Sequence, residues 1–251
     1  MAALPESKTG FLKLIKKIRQ LARKLRQPFA PQRSQYKATW KGLSKSLKKA
    51  TEHVIGDVPE EQINSSADET LAILKNTVGI KREDTVLEIG CGIGRVGRVV
   101  APCCRQWVGC DVSPNMLKHA QERLSGLKNV KLTEISGYDL SPIASDSVDM
   151  VYCTVVFMHL DEWDRYSYTL EALRVLRSGG RFYADNFNLC SDGGFEFFEQ
   201  IRKEFSRFRP PHISKSSTPQ ELETYLKRAG FLDVRIQTEG TWVRCYGVKK
   251  T

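Results

Sequence analysis

From Thr85 onward, short apolar runs alternate with stretches of helical period: Thr85 to Ile89, Gly94 to Ala101, Gln106 to Cys110, Pro114 to Leu124 and Val130 to Ile135. A strand near Val148 to Thr154, a helix from about Glu162 to Leu176 and a strand at Arg181 to Asp185 continue the series. Strands that recur with helical segments between them predict a parallel sheet covered by helices. Beyond them the spacing predicts a helix over Gly194 to Phe208 and another after Thr218, where Thr218, Pro219 and Glu221 form a capping signature. Phe231 to Gln237 and Trp242 to Val248, separated by Thr-Glu-Gly-Thr, read as a closing antiparallel pair.

Upstream the pattern changes. Phe11, Leu14, Ile15, Ile18, Leu21, Ala22 and Leu25 recur at helical spacing, with Lys and Arg on the opposite face, and Pro28 and Pro31 end the run. A second periodic stretch places Tyr36, Trp40, Leu43, Leu47, Ala50 and Val54 on one face, which suits a lid. Ser66 and Glu69 read as a capping box opening a helix through about Thr77, closed by Gly79. The expected division is a basic helical extension over residues 1–59 and a body over 60–251.

Charge sharpens that division. Of 39 Lys and Arg, 14 lie in residues 1–50, and of 29 Asp and Glu only Glu6 does. The net charge of +10 thus belongs to the extension, and the body is slightly acidic. Residues 10–27 suit an anionic membrane surface, a targeting peptide or a helix packed on protein, and nucleic acid is the least favoured partner. No apolar run reaches the roughly 18 residues of a spanning helix, and the Lys-rich start lacks a signal-peptide core. Seven cysteines without a C-x-x-C pair suggest neither a disulfide framework nor zinc. A cytoplasmic protein, peripheral to a membrane through its extension, is the expectation.

The sharpest local signal is Val86-Leu-Glu-Ile-Gly-Cys-Gly-Ile-Gly94, an apolar run leading into a glycine-rich turn. Gly92-x-Gly94-x-x-Gly97 satisfies a dinucleotide fingerprint, and Asp111 follows at the right distance to accept ribose hydroxyls. The glycines also start directly after the strand, with Glu88 inside it, an expensive place for a carboxylate unless it holds a polar ligand or a backbone turn. Taken alone, the loop leaves both nucleotide readings open.

Five ordered segments carry a wider likeness. They are Val86 to Arg95, Val108-Gly-Cys-Asp-Val-Ser113, Ser147 to Cys153, Phe157-Met-His-Leu160 and Ala172 to Phe182. In this order they resemble the class I S-adenosylmethionine-dependent methyltransferases, in the branch acting on small molecules, over about Thr85 to Phe187. The resemblance implies an α/β Rossmann-like fold, doubly wound, with a seven-stranded mostly parallel sheet, an antiparallel C-terminal strand and, here, extra N-terminal helices. It implies S-adenosyl-L-methionine as cofactor, with Glu88, Gly90, Cys91, Gly92 and Gly94 around its methionine end. Asp111 and Val112 are expected at the ribose, Met116, Gly137 and Tyr138 near the adenine, and Thr154 near the reacting end. The segment Ile135-Ser-Gly-Tyr-Asp-Leu140 departs from the family's Gly-Asp pair, leaving Ser136, Gly137 and Asp139 as alternative adenine partners.

The chain lacks the Asn-Pro-Pro-Tyr type tetrapeptide by which family members methylate exocyclic amines, which disfavours nucleic-acid amines. That leaves an oxygen, nitrogen or carbon of a small metabolite, a lipid-like or quinone-like one suiting a membrane-facing extension. The alternatives are an RNA or protein methyltransferase using the basic helix and a non-catalytic cofactor-binding partner subunit. His159, with an ordinary pKa near 6.5, is the candidate general base, or else a structural histidine ending a strand. Tyr36, Trp40, Phe157, Asp185, Asn186 and Asn188 are the candidate acceptor contacts, and no metal site is expected. Trp163 and Asp164 read as the first turn of a surface helix.

Overall fold

The computed structural model describes residues 35–251. The basic helix expected over residues 10–27, and its membrane contact, lie outside the described residues. In chain order the elements are α1 (Tyr36–Leu43), α2 (Leu47–Ile55), α3 (Glu60–Thr77), β1 (Thr85–Ile89), α4 (Gly97–Val100), β2 (Gln106–Asp111), α5 (Pro114–Arg123), β3 (Val130–Glu134) and β4 (Val148–Cys153). They continue with α6 (Glu162–Val175), β5 (Leu176–Phe187), α7 (Asp192–Glu204), α8 (Pro219–Ala229), β6 (Phe231–Glu239) and β7 (Trp242–Lys249).

The seven strands form one sheet in the order β3-β2-β1-β4-β5-β7-β6. Strands β3, β2, β1, β4 and β5 pair in parallel, and β7 runs antiparallel between β5 and β6. Burial explains the central runs: every residue of β1 is buried, as parallel strands covered on both faces require. One face packs Leu87, Val108, Val151 and Phe182 against Tyr168 and Ala172 of α6 and Leu222 and Leu226 of α8. The other packs Val86, Trp107, Met150 and Tyr152 against Leu74 of α3 and Ala120 of α5. Chain order reverses between β1 and β4, so the crevice for a ligand is expected beyond the carboxyl ends of those two strands.

Several boundaries differ from the sequence reading, each for a local reason. Helix α3 starts at Glu60, behind Pro59, rather than at Ser66. Ser66 lies inside it and turns its hydroxyl back to the Ile63 carbonyl at 2.8 Å, so the expected capping box does not form. The second periodic stretch is two helices, because Ser46 caps α2 by accepting from the Lys49 amide while buried Ser44 bonds the Ser113 hydroxyl at 2.7 Å. Residues 36–251 form one compact unit, which includes α1 and α2. Asp164 is not a surface residue: it is buried and accepts from the Tyr36 hydroxyl at 2.9 Å, although Trp163 beside it is exposed.

Candidate active site

The carboxyl ends of β1 to β4 open into a cavity, the place where open α/β sheets bind ligands. Glu88, Gly90, Cys91, Gly92, Asp111, Val112, Met116, Gly137 and Thr154 line it as the family pattern implies, and Tyr36, Trp40 and His159 join them. Glu88 points from β1 toward the α3 and α5 face, where the Tyr152 hydroxyl donates to its Oε2 at 2.5 Å and Trp107 Nε1 donates to that hydroxyl at 2.9 Å. Burial pushes the Glu88 carboxyl up to about 8, against the opposing pull of Tyr152 and of Arg95. Such a group invites a cation into the cavity.

Asp111 ends β2. Its Oδ2 accepts from the Gly92 amide at 2.9 Å and its Oδ1 from the Ser113 amide at 2.8 Å. The carboxylate therefore ties the glycine turn to the next helix, and burial still raises it to about 6. The cap of α5 is Ser113, whose hydroxyl accepts from the Met116 amide, so Asp111 keeps lone pairs for a ligand. Gly90 adopts φ +72°, and a Cβ there would stand 2.3 Å from Val156 Cγ2, so the turns after β1 and β4 meet only through a glycine.

Arg95, the last residue of the first motif segment, is buried in the wall and donates to Ser66 Oγ at 3.1 Å. Glu88, Asp185 and Glu69 surround it electrostatically. Acids on the floor and one buried cation suit an ammonium and a carboxylate on the same ligand, and suit a pyrophosphate poorly. This donor set fits S-adenosylmethionine and removes the dinucleotide reading that the glycines left open.

A second cavity, about 1360 Å³ up to its open side, adjoins the first. The two share His53, Val54, Arg95, Thr154, Val155 and His159. Phe187 forms its aromatic wall, with ring centroids 4.7 Å from Trp242 and 4.3 Å from Phe197. His159 stands at the junction. Its Nδ1 lies 2.8 Å from the His212 carbonyl, and since a carbonyl only accepts, Nδ1 carries the proton and Nε2 keeps its lone pair. Burial, with smaller contributions from the neighbouring His212, Lys215 and His53, pushes its pKa down to about 4, so the imidazole is neutral near pH 7.

Other candidates are placed differently. Gly94 does not line the cavity, because it faces α5, where a Cβ would meet Leu124 at 3.0 Å. Tyr138 also lies off the cavity, packing on Tyr36 with ring centroids 6.0 Å apart, and Asp139 and Ser136 bond each other, so Ile135 and Gly137 are that segment's contacts with the cavity. Phe157 is fully buried in the core. Asn186 and Asn188 are buried too: Asn186 donates to Ser217 Oγ and accepts from the Phe187 amide, and Asn188 accepts from the Cys190 amide. They hold the end of β5 in shape and line neither cavity. Asp185 does line the second cavity, yet its Oδ1 is taken by the Val155 amide. Tyr36 stands beside Gly137 rather than over the second cavity, its hydroxyl held by Asp164 and by the Asp161 amide.

Val54, His53, Leu160 and Tyr168 line the first cavity without having been singled out as site residues. They sit on helices and loops distant in sequence, and the sequence touched only two of them, Val54 through its helical spacing and Leu160 as the end of the fourth motif segment.

Residues 87–184 match the family described as a methyltransferase domain. The chain is 32% identical over 127 residues to the thiol S-methyltransferase TMT1A of Homo sapiens, covering 49% of this chain and 50% of that protein. It is 30% identical over 149 residues to the demethylmenaquinone methyltransferase of Tropheryma whipplei, covering 58% and 59%. The chain spans about half the length of these curated relatives. Among solved structures it superposes on an S-adenosylmethionine-dependent methyltransferase of Thermotoga maritima with a TM-score of 0.60 at 19% identity, over 82% of this chain and 100% of that one. One from Aquifex aeolicus gives 0.57 at 19% identity, over 79% and 97%. At that identity the likeness establishes the fold.

Proposed function

We propose that the chain, whose residues 87–184 match a methyltransferase domain, is a class I S-adenosylmethionine-dependent methyltransferase and methylates a nucleophilic atom of a small-molecule acceptor seated in the second cavity. The observation that carries this reading is the junction itself: the acid-lined and aromatic-lined cavities meet at Thr154, Val155 and His159.

When bound, the cofactor supplies a methyl group on a positively charged sulfur that leaves as a neutral thioether. Glu88 would hold its ammonium, Arg95 its carboxylate and Asp111 its ribose, with Val112, Met116 and Gly137 against the adenine. Alignment and exclusion of water are then the protein's main contributions. Trp40 packs edge-on to His159 at 4.9 Å and covers this end of the site. The Nε2 lone pair of His159 accepts the acceptor's proton or holds its hydrogen bond, so the nucleophile's own lone pair faces the methyl. Phe187, Trp242 and Phe197 suit a flat or apolar body, which supports a quinone-like or lipid-like acceptor reacting through oxygen, nitrogen or carbon. The names of the relatives span a thiol and a demethylmenaquinone, so the reacting atom varies among them while small-molecule acceptance is shared. The same reading makes the protein cytoplasmic, with residues 10–27 bringing it to an anionic membrane where such an acceptor partitions.

The test is calorimetric titration with S-adenosylmethionine and, separately, NADH, followed by acceptor screening with a labelled methyl group. Micromolar binding of S-adenosylmethionine alone supports the proposal. Binding of NADH alone overturns it.

A further inference from the structure

Val155, directly after β4, has φ +61°, a left-handed conformation that a β-branched side chain resists. It lies at the junction of the two cavities, where strained backbone is most often functional. Something must hold it. Ladder pairing between β4 and β5 ends at Cys153 opposite Ala184, and the next amide partner of Val155 is a side chain: its N–H donates to Asp185 Oδ1 at 2.7 Å. Asp185 is buried, accepts weakly from the Tyr183 hydroxyl at 3.4 Å, and faces the positive charges of Arg244 and Arg95. Arg244 is itself held by Glu239 at 2.5 Å, so the carboxylate sits in a fixed frame rather than on a mobile loop.

The residue after this bend, Val156, lies over Gly90, where a Cβ would stand 2.3 Å from its Cγ2. Thr154, Val155 and Val156 together then form the partition on the cofactor side, and Thr154 and Val155 also face the second cavity.

We propose that Asp185 is a positioning residue, holding Val155 in its left-handed conformation and so setting the partition across which cofactor and acceptor meet. This rests on the two-cavity reading above. It differs from the role expected of Asp185 in the sequence, a direct acceptor contact, and the two are separable because a positioning role can be replaced by removing the strain. Glycine adopts a positive φ at little cost, so Val155→Gly compensates for loss of the carboxylate only if the carboxylate's work is conformational.

The experiment compares full-length wild type, Asp185→Ala, Asp185→Asn and the double variant Asp185→Ala/Val155→Gly. The probes are S-adenosylmethionine in calorimetry and amide hydrogen exchange at residue 155. Asp185→Ala is expected to weaken S-adenosylmethionine binding about tenfold and to speed exchange of the Val155 amide by at least about as much. The double variant is expected to return binding to within about threefold of wild type. Asp185→Asn, which keeps an acceptor oxygen, retains amide protection and serves if the alanine variant does not fold. Unchanged exchange in Asp185→Ala, or a binding loss that Val155→Gly does not recover, overturns the proposal. If wild type binds no S-adenosylmethionine, the function proposed above fails while amide exchange still decides the Asp185–Val155 relationship.

Discussion

The Tyr152 hydroxyl donates to Glu88 Oε2 between the neighbouring strands β1 and β4, and both side chains are buried. Burial outweighs this bond and pushes the carboxyl from its ordinary 4.5 up to about 8. An unfolded chain ionises the group near 4.5, so the folded protein without cofactor holds the extra proton, and its stability falls as pH rises toward 8. His159, pushed down to about 4, acts in the opposite sense but only below its ordinary 6.5, and Asp111 and Asp185, raised to about 6, act mainly below that value. Between pH 6.5 and 8 the expected loss is about 1–2 kcal/mol, absent in Glu88→Gln. Urea denaturation at the two pH values measures it.

A bound ammonium favours the ionised carboxylate. Binding of S-adenosylmethionine at pH 7 should therefore release a proton from Glu88, read as a heat that differs between buffers of unlike ionisation enthalpy. Tyr152→Phe removes the donor, raises Glu88 further and should weaken binding by about tenfold.

Asp111 tests whether one carboxylate serves both loop and ligand. Asn offers a single acceptor oxygen where the Gly92 and Ser113 amides each require one. Asp111→Asn is expected to cost about 1–3 kcal/mol of stability as well as affinity. Chemical denaturation that shows full stability in this variant would remove the structural half of the role.

For His159 the geometry sets a tautomer and the surroundings set a pKa. Nitrogen-15 shifts should place the proton on Nδ1, opposite the His212 carbonyl, and a carbon-13 titration should show one transition near 4. A transition near 6.5 would mean the ring is solvated and is not held at the cavity junction.

Packing behind the site offers a stability test. A Cβ on Gly109 would stand 2.3 Å from Trp107 Cη2 and 2.9 Å from Cys91 Sγ, whereas one on Gly126 meets nothing within 4 Å. Gly109→Ala should destabilise by about 1–3 kcal/mol or more and disturb the Trp107–Tyr152–Glu88 chain, while Gly126→Ala should stay within about 0.5 kcal/mol. Equal melting temperatures for the two variants would contradict this packing.

The alternation of apolar runs and helical periods was enough to place all seven strands: β1, β2 and β4 read as short buried runs because helices cover both faces of the sheet there, while β6 and β7 were marked by the turn between them. Glu88, Asp111 and the glycines of the turn were legible for a related reason: backbone geometry and ligand contact are made there by residues next to each other in the chain. The acceptor side was not legible. Phe157, Asn186 and Asn188 have the composition of a binding site and are spent on core packing and on the end of β5. Besides Thr154 and His159, the junction is bordered by His53 and Val54 of α2, by Arg95 after the glycine turn and by Val155 after β4, which lie far apart in the chain, so no single local pattern gathers them.

Asp185 shows the division most plainly. Sequence alone placed a carboxylate at the carboxyl edge of the fifth strand, since strand order and period determine where that edge falls. Its hydrogen bond to the Val155 amide depends on two strands lying side by side and on a backbone angle that no residue type announces. Local periodicity thus determined the elements and the glycine turn, while the partner of each buried polar group was decided only when packing removed water and left one neighbour within reach.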